Sequence, residues 1–146
     1  MYVPKYLKRV VKLPGFLKRL TDFITYSLFK NEKILVIDDD EDILEVVRIA
    51  LRFYHFDVKA LTTGKNVAGI VQEYQPDLIL LDIILPGKSG IEICKELKSL
   101  NSARPLILFS AVAKKGKDLS ACNADGFIHK PFDILNFVNT IKSYLK

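Results

Sequence analysis

The stretch that decides the fold is KILVIDDDED, residues 33–42, in which branched apolar side chains run directly into five consecutive acids. The apolar half suits a strand that is buried on both faces, as strands of parallel sheets are. The acids need a further explanation, because like charges about 4 Å apart repel by roughly 4 kcal/mol at an effective dielectric constant of about 20. Either the carboxylates spread into solvent or a cation lies among them.

Short apolar runs alternate with helical segments from this stretch to the end of the chain. After the first acids, apolar residues recur at the spacing of one helix face, which predicts a helix. Five strands that alternate with five helices indicate an α/β domain with a parallel sheet covered on both faces. The predicted strands lie at residues 33–37, 56–61, 77–82, 104–110 and 125–129, and the predicted helices begin at residue 40 or 41 and then span residues 64–74, 90–100, 115–123 and 133–145.

Length and composition fit one globular domain preceded by an arm. The chain has 146 residues, of which 49% are apolar, enough for a single hydrophobic core. Residues 1–30 carry a formal charge of +6, whereas the remainder carries −1. The basic character therefore belongs to the arm, which argues against a protein that binds nucleic acid over its whole surface. We expect the arm at residues 1–30 and the domain at residues 31–146.

The arm has apolar side chains at helical spacing and bases on the other face, interrupted at Pro14-Gly15. Three roles are open: an amphipathic helix on a membrane surface, a helix that docks onto a partner or a second copy, or a helix packed on the domain itself. Its longest uncharged run, residues 23–29, is far shorter than the roughly 20 residues that span a bilayer. We therefore expect a cytoplasmic protein, with peripheral membrane contact as one of the arm's three roles.

The two cysteines, Cys94 and Cys122, match no metal-binding spacing. Both lie in predicted helices, and a cytoplasmic protein is kept reduced. We therefore expect free thiols rather than a disulfide.

Polar residues follow four of the predicted strands. Three acids, residues 38–40, follow the first strand, Asp82 ends the third, Ser110 ends the fourth and Lys130 follows the fifth. The carboxyl ends of parallel strands meet at one edge of the sheet, which is where ligands bind. Each residue alone has an ordinary structural explanation as a turn residue, a helix cap or a surface base. Together they bring acids, a hydroxyl and an ammonium to one edge, a set that suits phosphoryl transfer.

Four motifs carry a resemblance to a known family: LVIDDDEDI, LLDIILPGKSG, LFSA and HKPF, in this order. The set resembles the receiver domain of bacterial two-component response regulators and covers residues 33–146. The resemblance implies a flavodoxin-like fold whose five parallel strands have the order 2-1-3-4-5. It also implies an aspartate that accepts a phosphoryl group.

The resemblance implies a role for each polar residue at the predicted edge. Asp82 matches the phosphoacceptor, and Asp38 and Asp39 match an acid pair that binds Mg²⁺ together with Asp82 and the backbone carbonyl of Ile84. Lys130 matches the lysine that pairs with the phosphoryl group. Pro131, which follows it, lies where the family often has a cis peptide bond.

Four positions bear on the phosphorylated state. Ser110 matches the hydroxyl that turns towards the phosphoryl oxygen, and Phe127 occupies the position of an aromatic residue that then turns inward. An ordinary Phe of the last strand is the alternative for Phe127. Ile84 and Val112 flank the path of the attacking water in the family; because both are apolar, we expect slow self-dephosphorylation.

The resemblance implies a signalling function rather than an enzyme. The receiver would accept a phosphoryl group from a sensor histidine kinase or a histidine phosphotransfer protein and would catalyse only its own phosphorylation and dephosphorylation. The chain ends at Lys146, so we expect a stand-alone receiver that acts by protein–protein contact with a downstream target or a second copy, without direct nucleic-acid binding. Two alternatives are a receiver-like docking module that is never phosphorylated, and a small haloacid-dehalogenase-type phosphatase with Asp38 as nucleophile and Asp40 as acid/base.

Overall fold

The computed structural model describes residue 24 and residues 31–100, 103–112 and 115–145. The arm predicted at residues 1–30 thus lies outside the described residues, apart from residue 24. Strands and helices alternate through the domain. They are β1 (Lys33–Ile37), α1 (Glu41–Phe53), β2 (Asp57–Leu61), α2 (Val67–Tyr74), β3 (Leu78–Leu81), α3 (Gly90–Ser99), β4 (Leu106–Ser110), α4 (Lys115–Cys122), β5 (Gly126–His129) and α5 (Ile134–Tyr144).

The five strands form one parallel sheet in the order β2-β1-β3-β4-β5, so the predicted order is confirmed. Backbone hydrogen bonds continue this register past the strand ends. The N–H of Asp38 donates to the carbonyl of Leu61 at 3.0 Å, and the N–H of Asp82 donates to the carbonyl of Ile37 at 2.8 Å. The two aspartates are therefore the first residues beyond neighbouring strands, at the same edge of the sheet.

Alternate residues of each strand fill two cores on opposite faces of the sheet. Ile34 and Val36 pack into the core under α1 and α5, whereas Leu35 and Ile37 pack into the core under α2, α3 and α4. All four side chains are fully buried. The unbroken apolar run of β1 follows from this arrangement, because a strand covered on both faces has no side for polar residues.

The acid run of residues 38–42 serves two different purposes. The carboxylate of Asp40 caps α1 by accepting hydrogen bonds from the N–H groups of Asp42 at 3.0 Å and Ile43 at 3.2 Å. Glu41 and Asp42 lie in the first turn of α1, where acids suit the positive end of the helix dipole. Only the first two acids of the run are therefore left for the edge of the sheet.

The start of α2 differs from the prediction. The helix begins at Val67 rather than at residue 64, because Asn66 has the left-handed φ of 51°. A right-handed helix cannot extend backwards through such a residue. Within the part of the chain that the structure describes, no helix is both long and apolar enough to cross a bilayer.

The prediction of free thiols is wrong, because Cys94 and Cys122 form a disulfide. Cys94 lies on α3 and Cys122 is the last residue of α4, and both are buried in the same core. Their Cα atoms are 5.7 Å apart, a usual separation for bridged cysteines. A separation of 28 residues along the chain does not by itself predict that two cysteines pair. The packing of α3 beside α4 brings them together.

Reduction of the disulfide should lower the free energy of unfolding by about 2–4 kcal/mol, because the crosslink restricts the unfolded chain. Urea unfolding with and without dithiothreitol measures this difference. The double variant Cys94→Ala, Cys122→Ala is the control and should not respond to the reductant. Equal stability of the wild-type chain under both conditions would contradict the prediction.

Candidate functional site

The site lies at the carboxyl edge of the sheet, where the register places the residues that follow β1, β3 and β5 and the last residue of β4. Asp38, Asp82, Ser110 and Lys130 are the buried polar or charged residues among those described, with exposed fractions of 0%, 6%, 1% and 8%. The N–H of Lys130 donates to the carbonyl of Ser110 at 3.0 Å, which extends the pairing of β4 and β5 by one step. The peptide bond between Lys130 and Pro131 is cis.

Lys130 joins two carboxylates that are 44 residues apart in the sequence. Its ammonium donates a hydrogen bond to Oδ2 of Asp82 at 2.8 Å and another to Oδ2 of Asp38. All three side chains are at least nine-tenths buried. Removing one partner from such a buried set leaves an uncompensated charge, which typically costs about 3–5 kcal/mol.

Asp38, Asp39 and Asp82 form an acidic cluster in which one oxygen of each carboxylate lies within 4.8 Å of the others. Burial raises the pKa of the Asp38 carboxyl above its ordinary value, and hydrogen bonds from Lys130 and from the N–H of Asp40 oppose this shift. Asp39 is exposed. Three carboxylates that converge without other ligand types suit a hard divalent cation such as Mg²⁺, which prefers oxygen ligands. The donor set therefore fits the predicted metal.

The backbone around Asp82 is closely packed. The Oδ1 atom of the Asp82 side chain accepts a hydrogen bond from the N–H of Ile84 at 3.1 Å, and its Oδ2 atom accepts one from Lys130. The first residue of α3, Gly90, lies against the Asp82 backbone, and a Cβ atom at Gly90 would lie 1.9 Å from the Asp82 carbonyl oxygen. Only glycine fits there, and α3 can therefore start immediately beside the Asp82 backbone.

The remaining predicted residues lie around this centre. Ser110 is buried at the end of β4, in register with His129 of β5. Phe127 is half-buried, packs against the core under α3 and α4, and its ring centroid lies 6.2 Å from that of His129. Ile84 and Val112 are exposed, with exposed fractions of 54% and 68%. The roles of these four residues, and that of the Ile84 carbonyl, stay predictions.

Sequence reasoning missed one contact of the site. The ammonium of Lys130 lies over the ring of Phe109, 4.4 Å from the ring centroid. In the sequence Phe109 is one more apolar residue of a buried strand. The one available signal is its position next to Ser110, and adjacency in a strand does not reveal which side chain approaches a lysine 21 residues later.

The comparisons with known proteins agree with this geometry. A sequence model described as the response regulator receiver domain matches residues 34–142. The DNA-binding response regulator MtrA of Mycobacterium tuberculosis is 33% identical over 118 residues, which cover 80% of this chain and 51% of that protein. MtrA of Mycobacterium leprae is also 33% identical, with 80% and 52% covered. The chain thus spans about half the length of these curated relatives.

Solved structures show the same fold. The CheY-like response regulator receiver domain protein of Methanospirillum hungatei has a TM-score of 0.73 and 28% identity, with 80% of this chain and 94% of that chain covered. The chemotaxis response regulator CheY4 of Vibrio cholerae has a TM-score of 0.72 over 80% of this chain and 100% of its own. At 23% identity, the second likeness concerns the fold alone.

A flavodoxin-like sheet with acids and a lysine at its carboxyl edge defines the receiver class of signalling domains. This chain belongs to the response regulator receiver domain family. It is a receiver of the two-component type, and phosphorelay signalling is the class of function to which it belongs.

Mg²⁺ should stabilise the fold, because a bound cation offsets the repulsion among Asp38, Asp39 and Asp82. At about ten times its dissociation constant it should add about 1.4 kcal/mol to the free energy of unfolding, or roughly 4–8 °C in melting temperature. Thermal unfolding with Mg²⁺ and with EDTA measures the shift.

Asp39→Asn should remove most of this Mg²⁺ response, since Asp39 is the exposed member of the cluster and its loss disturbs no buried pair. Asp40→Asn is the matched control, because asparagine is also a good N-cap and the cluster stays complete. A full Mg²⁺ response in Asp39→Asn would contradict the metal assignment.

Proposed function

We propose that this receiver accepts a phosphoryl group on Asp82 from a phosphohistidine of a sensor kinase or a phosphotransfer protein. The observation that carries the proposal is the buried ammonium of Lys130 bonded to Asp82 at 2.8 Å, beside the two further acids Asp38 and Asp39. A carboxylate at a sheet edge can act as a nucleophile, provided that positive charge is ready for the phosphoryl oxygens.

In the proposed reaction each group of the site has a part. A carboxylate oxygen of Asp82 attacks phosphorus, the new O–P bond forms, and the P–N bond breaks with its electron pair left on the donor imidazole. Lys130 orients the carboxylate and neutralises charge on the phosphoryl oxygens, and the hydroxyl of Ser110 donates to one of them. Asp38, Asp39, Asp82 and the Ile84 carbonyl would hold Mg²⁺, which would supply further positive charge.

Acetyl phosphate with Mg²⁺ should label the wild-type chain, and Asp82→Asn should abolish the label because asparagine cannot form the acyl phosphate. Incorporation of labelled phosphate measures this, and Asp40→Asn is the control that keeps the cluster. Label that persists in Asp82→Asn but is lost in Asp38→Asn would favour the phosphatase alternative. A wild-type chain that takes up no phosphate from acetyl phosphate or from a phosphorylated kinase would favour the docking module.

The phosphorylated state should be long-lived, because Ile84 and Val112, two residues after Asp82 and Ser110, are exposed apolar side chains that cannot orient the attacking water. The double variant Ile84→Asn, Val112→Glu should lose its phosphoryl group faster, on the order of tenfold. Decay of the labelled protein after removal of the donor gives both rates. Ile84→Val with Val112→Ile is the apolar control, and a decay rate of the polar variant equal to that of the control would contradict the proposal.

The phosphorylated state would be transmitted through the surface around β5. Movement of Ser110 towards the phosphoryl oxygen would open space for Phe127, whose half-buried ring lies next to exposed His129 at the edge of the sheet. The changed surface would then bind a downstream protein or a second copy. The curated relatives named above are DNA-binding response regulators, and this chain matches about half of their length.

The proposal extends to the organisation of the chain. We place the boundary between the arm and the receiver after residue 30, and we place the protein in the cytoplasm, with its catalysis limited to its own phosphorylation and dephosphorylation. The strong positive charge of residues 1–30 supports a separate role for the arm. Membrane contact, partner binding and packing on the receiver stay as its three predicted roles.

A further inference from the structure

We infer that Phe109 is a positioning residue for Lys130: its ring holds the ammonium where it meets a phosphoryl group on Asp82. The inference rests on the proposed function, since it gives Phe109 a part in the same reaction. Its basis is the contact of the Lys130 ammonium with the face of the Phe109 ring, at 4.4 Å from the centroid. A cation within about 6 Å of an aromatic face is attracted by the ring quadrupole.

The surroundings make this contact stronger than a surface contact of the same geometry. Phe109 is fully buried, and Lys130 has an exposed fraction of 8%. An ammonium has three N–H donors, and the carboxylates of Asp38 and Asp82 accept from it. Little water reaches this buried ammonium. The electron-rich face of Phe109 therefore attracts it in addition to the two carboxylates.

The ring of Phe109 is itself held in place by two other aromatic residues. Its centroid lies 5.3 Å from that of Phe132 and 5.8 Å from that of Phe137, and these two rings stack on each other at 4.6 Å. Phe132 follows Lys130 by two residues, so the same aromatic cluster fixes both the ring and the segment that carries the lysine. The ammonium therefore lies over a ring whose place is set by aromatic packing.

This arrangement matters when Asp82 is modified. A phosphoryl group adds bulk and negative charge at the carboxylate, and the present hydrogen bond from Lys130 to Asp82 must give way to one with a phosphoryl oxygen. The long lysine side chain loses rotamer freedom whenever it is held in one place. The attraction of the Phe109 ring opposes escape of the ammonium during this exchange. An aliphatic residue would fill the same volume without that attraction.

A fluorinated series separates the charge of the ring from its volume. Phenylalanines with one, two and three ring fluorines, placed at residue 109 of the full chain, weaken the electron density of the ring face with little change in shape. The rate of phosphorylation by acetyl phosphate should fall stepwise, by about three- to tenfold for the trifluoro ring. The melting temperature should fall in the same order, because the attraction is already present in the unphosphorylated fold.

The same series at Phe137 is the matched control. Phe137 is buried in the same aromatic cluster, and its ring neighbours are Phe109 and Phe132. Fluorination there should leave the phosphorylation rate unchanged. Equal effects at the two positions, or no effect at residue 109, would mean that Phe109 acts by packing alone and would overturn the inference.

A second measurement needs no phosphate. In the unphosphorylated chain, the ε-methylene protons of Lys130 should be shifted upfield by the ring current of Phe109, and fluorination of residue 109 but not of residue 137 should reduce the shift stepwise. Unshifted lysine protons in the wild-type chain would overturn the inference. Failure of the wild-type chain to accept phosphate would instead count against the proposed function. The chemical shifts of Lys130 would still report whether its ammonium lies over the Phe109 ring.

Discussion

The buried ion-pair network of Lys130 with Asp38 and Asp82 is the interaction on which the rest of the site depends. The parallel register places the two aspartates side by side, and burial alone already raises the pKa of Asp38. Without a cation between them, two ionised carboxylates at this edge would repel each other and would oppose folding. Lys130 supplies the positive charge that offsets this repulsion.

The same charges suit the proposed reaction. A divalent cation would offset the repulsion among the acids, and an ammonium already bonded to Asp82 would be in place for an incoming phosphoryl group. The surrounding structure leaves little room for rearrangement. Gly90 packs against the Asp82 backbone, and the aromatic cluster around Phe109 lies under Lys130. The site is thus costly in stability, as functional sites commonly are, and its organisation suits the proposed transfer.

Most of the fold could be predicted because its signals are local. The apolar runs of β1, β3 and β4 and the helical spacing that follows them predict a parallel α/β sheet, and the motifs supply the strand order. The predicted helices and strands are of the observed type, and their ends differ from the observed ends by a few residues. The start of α2 differs from the prediction because Asn66 has a left-handed backbone. Asparagine adopts this conformation more often than most residues do, but only in a minority of cases, so its presence alone does not fix the helix start. The four buried polar residues of the edge were also predicted, because each directly ends or follows a strand.

The sequence by itself thus determined the elements, their order along the chain and the polar residues that end the strands, because periodicity and capping act over a few neighbouring residues. Only the tertiary structure decided the contacts between distant residues. Packing of two helices brings Cys94 and Cys122 together in a disulfide. The ammonium of Lys130 forms ion pairs with both Asp38 and Asp82. The ring of Phe109 lies under this ammonium. These contacts depend on how packed elements turn their side chains towards one another, and spacing along a chain does not record that orientation.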